Sequence, residues 1–287
     1  MDAYTAHMLN GLTASFYAEH ASSFSATRDH PWPGWERAWT NALRACGTVC
    51  SVLDVAGGNL RFRAFCRERG LASAARYHAV DSCRALLPGS EEPVPQGEPV
   101  QLGQQGEPGL SNASSGSGEP CQPNEQTAFA FHEADVTSAL LQGRDPLRDL
   151  AIAPCDLVAC FGFAHHVPGA RARTALLESL LGACRPGGAV VVSFWQFDCD
   201  DRFARKAQRE TQAALAALEC NLHLDEGDYL LGWKNQPGAH RYCHSFSDEE
   251  LDALADHVAG RAVLLDRYRA DGRTGTMNSY LAFSPRV

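Results

Sequence analysis

The stretch 51–62, SVLDVAGGNLRF, limits what this chain can fold into more than any other. A short apolar run reaches Asp54, a small-residue turn follows at Ala56, Gly57 and Gly58, and an amphipathic segment starts at Arg61. An open α/β sheet builds a nucleotide pocket in this way. Glycines let the backbone approach a ligand, and the helix N-terminus offers unpaired N–H groups and positive potential. A plain strand–turn–helix joint fits the same residues, so the rest of the chain has to decide.

The rest repeats the unit. Residues 77–80 predict a second strand that ends at Asp81. An acid there can grip ribose hydroxyls, cap a helix, or do both. Residues 129–131 begin a third strand, 155–161 read as a fully buried fourth, and 189–194 as a fifth after the turn at 185–188. Helices are expected over 61–69, 170–183, about 202–218 and 247–258, the last opened by a capping box from Ser247 to Glu250. Residues 262–268 and 279–283 are expected to close the sheet as a hairpin pair. This alternation predicts one α/β domain over 1–287, a doubly wound, seven-stranded, mostly parallel sheet.

Three additions are expected on that frame. Residues 1–45 read as a helical extension broken near Pro31 and Pro33. Trp39 reads there as an apolar latch, while Arg28 and Trp32 stand in an irregular stretch that could reach over a pocket. Residues 88–127, rich in Pro, Gly, Gln, Glu and Ser, are expected to be a disordered insertion, because so little apolar content cannot offset the entropy of ordering. Residues 199–246 read as an insertion whose aromatic part, 225–246, covers an acceptor site.

Composition narrows the functional classes. The net charge of −9 argues against broad non-specific nucleic-acid binding, without excluding a local basic patch. No apolar run of about 18 residues spans a membrane, and the N-terminal segment lacks the pattern of a secretory leader. A cytoplasmic location and no membrane partner are expected. The eleven cysteines are scattered without CxxC spacing, so they read as reduced thiols and no metal site is expected.

Taken together, VLDVAGGNLRF, YHAVD, FHEADV with CDLVACFGFAHHVP, and LLGACRPGGAVVVSFW resemble the class I S-adenosylmethionine-dependent methyltransferases. The resemblance implies S-adenosylmethionine as cofactor. It places Asp54, Ala56, Gly57, Gly58 and Asn59 at the methionine end, Asp81 and Ser82 at the ribose, Asp135 and Val136 beside the adenine, and Phe161 and Gly162 below the sulfonium. The sequence departs from the family's turn pattern at Ala56 and Leu60, where glycine is usual. A cofactor-free scaffold of the same fold is the corresponding alternative.

A narrower resemblance is carried by FSATRDHPWP, AHHVP and RYCHSF, which are similar to segments of the tRNA wobble-uridine methyltransferases. Those enzymes esterify a carboxymethyl group, and the eukaryotic ones work with a small zinc-binding activator protein. The resemblance implies tRNA and such an activator as partners. Methyl transfer to a carboxylate needs no base, only a cradle that orients one oxygen. Arg241, Tyr242 and His244, with His165 and His166 across the cofactor, are the candidate acceptor-side residues, and Arg28 could clasp the cofactor carboxylate. His165 or His166 could equally cap a loop, and Arg241 could be a surface ion pair. Two other functions stay open: methyl transfer to a small metabolite acid or phenol, and a catalytically silent binding or regulatory subunit.

Overall fold

Five strands form the parallel part of the sheet: β1 (Ser51–Val55), β2 (Arg76–Asp81), β3 (Phe129–Glu133), β4 (Cys155–Cys160) and β5 (Cys184–Trp195). Every residue of β1 and β4 is buried, as a strand covered on both faces requires. The computed structural model describes residues 1–88, 129–218, 220–234, 236 and 238–286. Apart from residue 88, the expected insertion at 88–127 lies outside the described residues.

The main sheet has seven strands in the order β3-β2-β1-β4-β5-β9-β8. The last two, β8 (Ala262–Ala270) and β9 (Asn278–Pro285), pair antiparallel with each other, and β9 pairs antiparallel with β5. Alternate residues of each strand feed opposite cores. Val52, Leu157, Ala159 and Val191 pack with Trp35, Trp39, Phe62 and Phe65 of α2 (Gly34–Cys46) and α3 (Arg61–Glu68). Leu53, Val55, Val158 and Val190 pack on the other side with α4 (Val136–Leu141), α5 (Pro146–Asp149), α6 (Ala170–Gly182) and α8 (Asp248–Val258). Trp39, 5% exposed, is the expected latch. The capping box of α8 is present, with Ser247 and Glu250 bonding each other's backbone N–H groups.

One expectation changes. The Arg185-Pro-Gly-Gly188 segment is the irregular start of β5 rather than a free turn. A Cβ on Gly188 would stand 2.6 Å from the Asp156 carbonyl oxygen, so the close approach of β4 requires glycine.

Two pieces complete the fold over the C-terminal ends of the parallel strands. Helix α1 (Ala3–Ser25) starts at Asp2, whose side chain accepts the Thr5 N–H, and it lies against a separate hairpin. That hairpin, β6 (Asp228–Gly232) with β7 (His240–His244), follows α7 (Asp201–Ala217) and packs on it. Among the described residues no helix is long and apolar enough to cross a membrane.

Candidate active site

The order of strands reverses between β1 and β4, and a cavity of about 390 Å³ opens at that end of the sheet. Open α/β sheets hold ligands at such a reversal, in pockets of about 300–1,000 Å³. The turn after β1 is tied down by the Ala56 and Gly57 N–H groups, which donate to the Val80 carbonyl at 2.7 and 3.3 Å. A Cβ on Gly57 would lie 2.9 Å from Asp54 Oδ2, so glycine is required there.

Asp81 lines the cavity with both carboxylate oxygens engaged. Oδ2 accepts the Gly58 N–H at 2.9 Å, and Oδ1 accepts the Cys83 N–H at 2.8 Å. Burial pushes its pKa up, against the pull of those backbone donors. Asp54 is buried and accepts the Tyr77 O–H at 2.7 Å. Burial raises its carboxyl to about 7; Tyr77 opposes the rise and the Asp81 charge adds to it.

Ala56 and Leu60, the two departures from the family's turn pattern, are both strained in the structure. Both sit in the left-handed region, at φ 59° and 58°. That region costs a residue with a Cβ about 1–2 kcal/mol. The Leu60 side chain packs against the Trp35–Phe62 cluster and does not line the cavity. Ala56→Gly is therefore expected to stabilise the fold by about 0.5–1 kcal/mol, part of the relief being offset by the greater freedom of unfolded glycine. Leu60→Gly forfeits apolar burial and should not stabilise. Parallel thermal melts check this, and a lower Tm for Ala56→Gly would contradict it.

Asn59, Ser82, Asp135, Val136, Phe161 and Gly162 also line the cavity, as do Arg28 and Trp32. Asn59 donates to the Arg28 carbonyl at 2.9 Å, which joins the turn to the loop after α1. Asp135 caps α4 through the Ser138 N–H at 2.8 Å and accepts from Asn10 at 3.2 Å. Gly162, at φ 68°, leaves room for Trp32, whose ring would stand 3.0 Å from a Cβ.

At the other end lie His165, His166 and Arg241. His166 Nδ1 is 2.7 Å from the Tyr242 carbonyl oxygen, so it must donate, which leaves Nε2 to accept the Tyr17 O–H at 2.9 Å. Burial pushes the His166 pKa down to about 3 and drives His165 well below the ordinary range, with Arg241 and Arg28 adding to both effects. Both rings are therefore neutral. His165 Nδ1 and Arg241 Nη1 are buried without a hydrogen-bond partner. The Arg241 guanidinium lies 4.9 Å from the centre of the Phe16 ring, and that of Arg28 lies 3.3 Å from the centre of Phe24. Burial lowers the Arg28 pKa to about 10. Among the described residues, neither guanidinium forms an ion pair.

Tyr242 and His244 stand apart from the other expected acceptor-side residues. Neither lines the cavity, and both are fully buried. The Tyr242 O–H donates to Asp228 Oδ1 at 2.6 Å. His244 bridges Asp228 at 2.8 Å and Glu250 at 3.0 Å. Alternation along β7 explains the split: Arg241 and Tyr242 project to opposite faces of the strand.

Other lining residues carried no sequence signal, namely Asn10, Thr13 and Tyr17 of α1, Trp195 of β5, and Met277 before β9. Helical spacing of the first three is the only pattern that could have marked them. The fold also gathers His165, His166 and Cys243, whose ligand-capable atoms lie within 4.8 Å of one another. No local spacing announces this group. Both His166 nitrogens are already bonded, and two guanidiniums stand nearby, so the surroundings oppose a cation.

No family model matches the sequence, and no curated protein matches it. Solved structures do resemble it. A 1,6-didemethyltoxoflavin-N1-methyltransferase from Burkholderia thailandensis, with bound 1,6-didemethyltoxoflavin and S-adenosylhomocysteine, aligns at a TM-score of 0.51 and 16% identity over 98% of this chain and 90% of its own. A SAM-dependent methyltransferase from Methanosarcina mazei aligns at 0.50 and 13% identity, over 83% and 92%. An S-adenosylmethionine-dependent methyltransferase from Clostridium acetobutylicum aligns at 0.50 and 10%, over 94% and 99%. The chain has the Rossmann-like fold of the class I S-adenosylmethionine-dependent methyltransferases.

Proposed function

We propose that this protein is an S-adenosylmethionine-dependent methyltransferase whose acceptor is a carboxylate. The observation that carries the reading is a pair of guanidiniums, the buried Arg241 and the half-buried Arg28, which line the cavity without a carboxylate partner among the described residues, although Arg28 donates to the Phe24 carbonyl and Thr27 Oγ1. Buried cations are ordinarily paired. A pocket lined by two cations without a carboxylate suits a ligand or ligands with two negative groups. The cofactor's carboxylate is one and the acceptor's is the other.

The residues present fit the cofactor. Gly57 and Gly58 line the cavity with backbone alone, and a Cβ at 57 would press on the Asp54 carboxylate beneath the turn. Asp81, Asp135, Val136 and Arg28 line the cavity: Asp81 would accept from the ribose hydroxyls, Asp135 and Val136 would border the adenine, and Arg28, beside Asn59, would meet the methionine end. When bound, the cofactor supplies an electrophilic methyl group on a sulfonium. Arg241 would orient one acceptor oxygen, with His165 beside it on the cavity wall. Trp32 and Phe161 would exclude water. A carboxylate is ionised at neutral pH, so no proton has to leave. Neutral histidines with strongly lowered pKa values are poor general bases, and this site does not require one.

The finer acceptor, a carboxymethyl group on tRNA wobble uridine, and a small zinc-binding activator are proposed on the motif resemblance. The hairpin β6–β7, which carries Arg241, then serves with α1 as the lid. A second reading, a small-molecule acceptor, is favoured by the neighbour bound to 1,6-didemethyltoxoflavin. Methyl transfer from labelled cofactor to bulk tRNA or to a small-molecule extract separates the two. The cofactor is tested by calorimetry with S-adenosylhomocysteine. Asp81→Ala should weaken binding about 10–100-fold, the value of one or two charge-assisted hydrogen bonds. Equal affinity in the variant, or no heat with the parent protein, would overturn the reading.

A further inference from the structure

A second cleft, of about 550 Å³, lies between α7 and the turn joining β8 to β9. Arg202, Lys206 and Arg209 line one side at helical spacing, and Arg273 lines the other. Lys206 is 3.5 Å from Glu210. Among the described residues the guanidiniums of Arg202, Arg209 and Arg273 have no ion-pair or hydrogen-bond partner. Asp200, the lining acid, is occupied in capping α7, where it accepts the Arg202 and Phe203 N–H groups at 3.0 and 2.9 Å. A chain of net charge −9 thus concentrates unpaired cations in one place.

The cleft meets the candidate active site. Met277 lines both. An aromatic series also connects them: the His165 ring is 5.0 Å from Trp195, and Trp195 is 5.7 Å from Phe203, which lines the basic cleft. A groove of cations that carries one aromatic face, Phe203, and leads to further rings suits a single nucleic-acid strand. A lipid surface would call for a flat basic face with exposed apolar side chains, and this cleft is concave.

We propose that the Arg202–Arg209–Arg273 cleft docks the backbone phosphates of a single-stranded RNA segment whose neighbouring nucleotide enters the pocket past Trp195. The identity of what enters the pocket rests on the methyltransferase reading; the docking itself does not.

The test uses the full chain and a fluorescent single-stranded RNA of about 15 nucleotides, matched to the site size of such grooves. Anisotropy is measured from about 50 to 200 mM salt. The comparison is a triple variant, Arg202→Gln, Arg209→Gln and Arg273→Gln. These side chains are exposed and outside the cofactor pocket, so Tm and S-adenosylhomocysteine binding should not change. Expected is at least about tenfold weaker RNA binding and a salt slope smaller by ~2, near 0.7 for each phosphate contact removed. An unchanged slope, no RNA binding by the parent protein, or binding to phosphatidylserine vesicles in place of RNA would overturn the proposal. If the parent fails to bind S-adenosylhomocysteine but keeps the RNA slope, the docking cleft stands and the methyltransferase reading falls.

Discussion

Replacing Arg241 with Met is expected to lower kcat for a carboxylate acceptor by about 10²–10³-fold, the usual cost of removing one positioned donor from a dry site. The geometry sets the size. Arg241 is 6% exposed, lies over Phe16, lines the cavity and has a buried Nη1 without a hydrogen-bond partner. Methionine retains the apolar stem that covers Phe16 and Trp233, so the fold should tolerate the change. S-adenosylhomocysteine affinity should hold, because Arg28 and not Arg241 stands at the glycine turn. A kcat within about threefold of the parent would remove Arg241 from the acceptor site.

The largest effect on stability is expected from Asp228→Ala. One oxygen of Asp228 receives both the Tyr242 O–H and His244 Nδ1, and the Asp228 and His244 side chains are fully buried. His244 continues to Glu250, which also holds Arg173 at 3.3 Å and closes the cap of α8. This network ties the β6–β7 hairpin to the main domain. Removing its central acceptor should cost about 3–5 kcal/mol, because buried donors are left unpaired. Tm should fall by roughly 6–15 °C.

The pH dependence of this network has a definite sign. Burial works to lower the His244 pKa, but hydrogen bonds to Asp228 and Glu250 outweigh it and the folded value is raised. A raised folded pKa contributes stability that is fully present below the unfolded value, about 6.5, and is lost as pH rises through the folded value. Melts across that window should show the difference between parent and variant shrinking toward alkaline pH. A difference that grows with pH would refute the linkage.

Residues whose neighbours are close in sequence were legible, and those assembled by tertiary contact were not. The glycine turn, Asp81 and the buried strand at 155–160 each advertise themselves through local pattern, and the structure gathers them at one reversal in the sheet. The strain at Ala56 was also readable, since that position in such a turn calls for positive φ. The motif RYCHSF drew attention to Arg241, Tyr242 and His244 together. Only strand alternation separates Arg241 from Tyr242, and no property of the side chains does so. Tyr17 was invisible because nothing in a long N-terminal helix says which face will cross a sheet 149 residues later in the chain. The cations of α7 become one side of a cleft only because the fold brings Arg273 opposite them.

The loop between β8 and β9 has a consequence for how the molecule comes together. Asp271 accepts the Gly34 N–H at 2.9 Å and also holds Asn278 and Tyr280, so residues 237 positions apart form one wall of the cavity. A nascent chain emerging from the ribosome cannot finish that wall until its closing strands are out. Ligand capture should therefore come last in biogenesis. Protection of the protein by bound nucleoside, which rises with ligand concentration for any native-state ligand, would then report on the sealing of this seam more than on the parallel sheet beneath it.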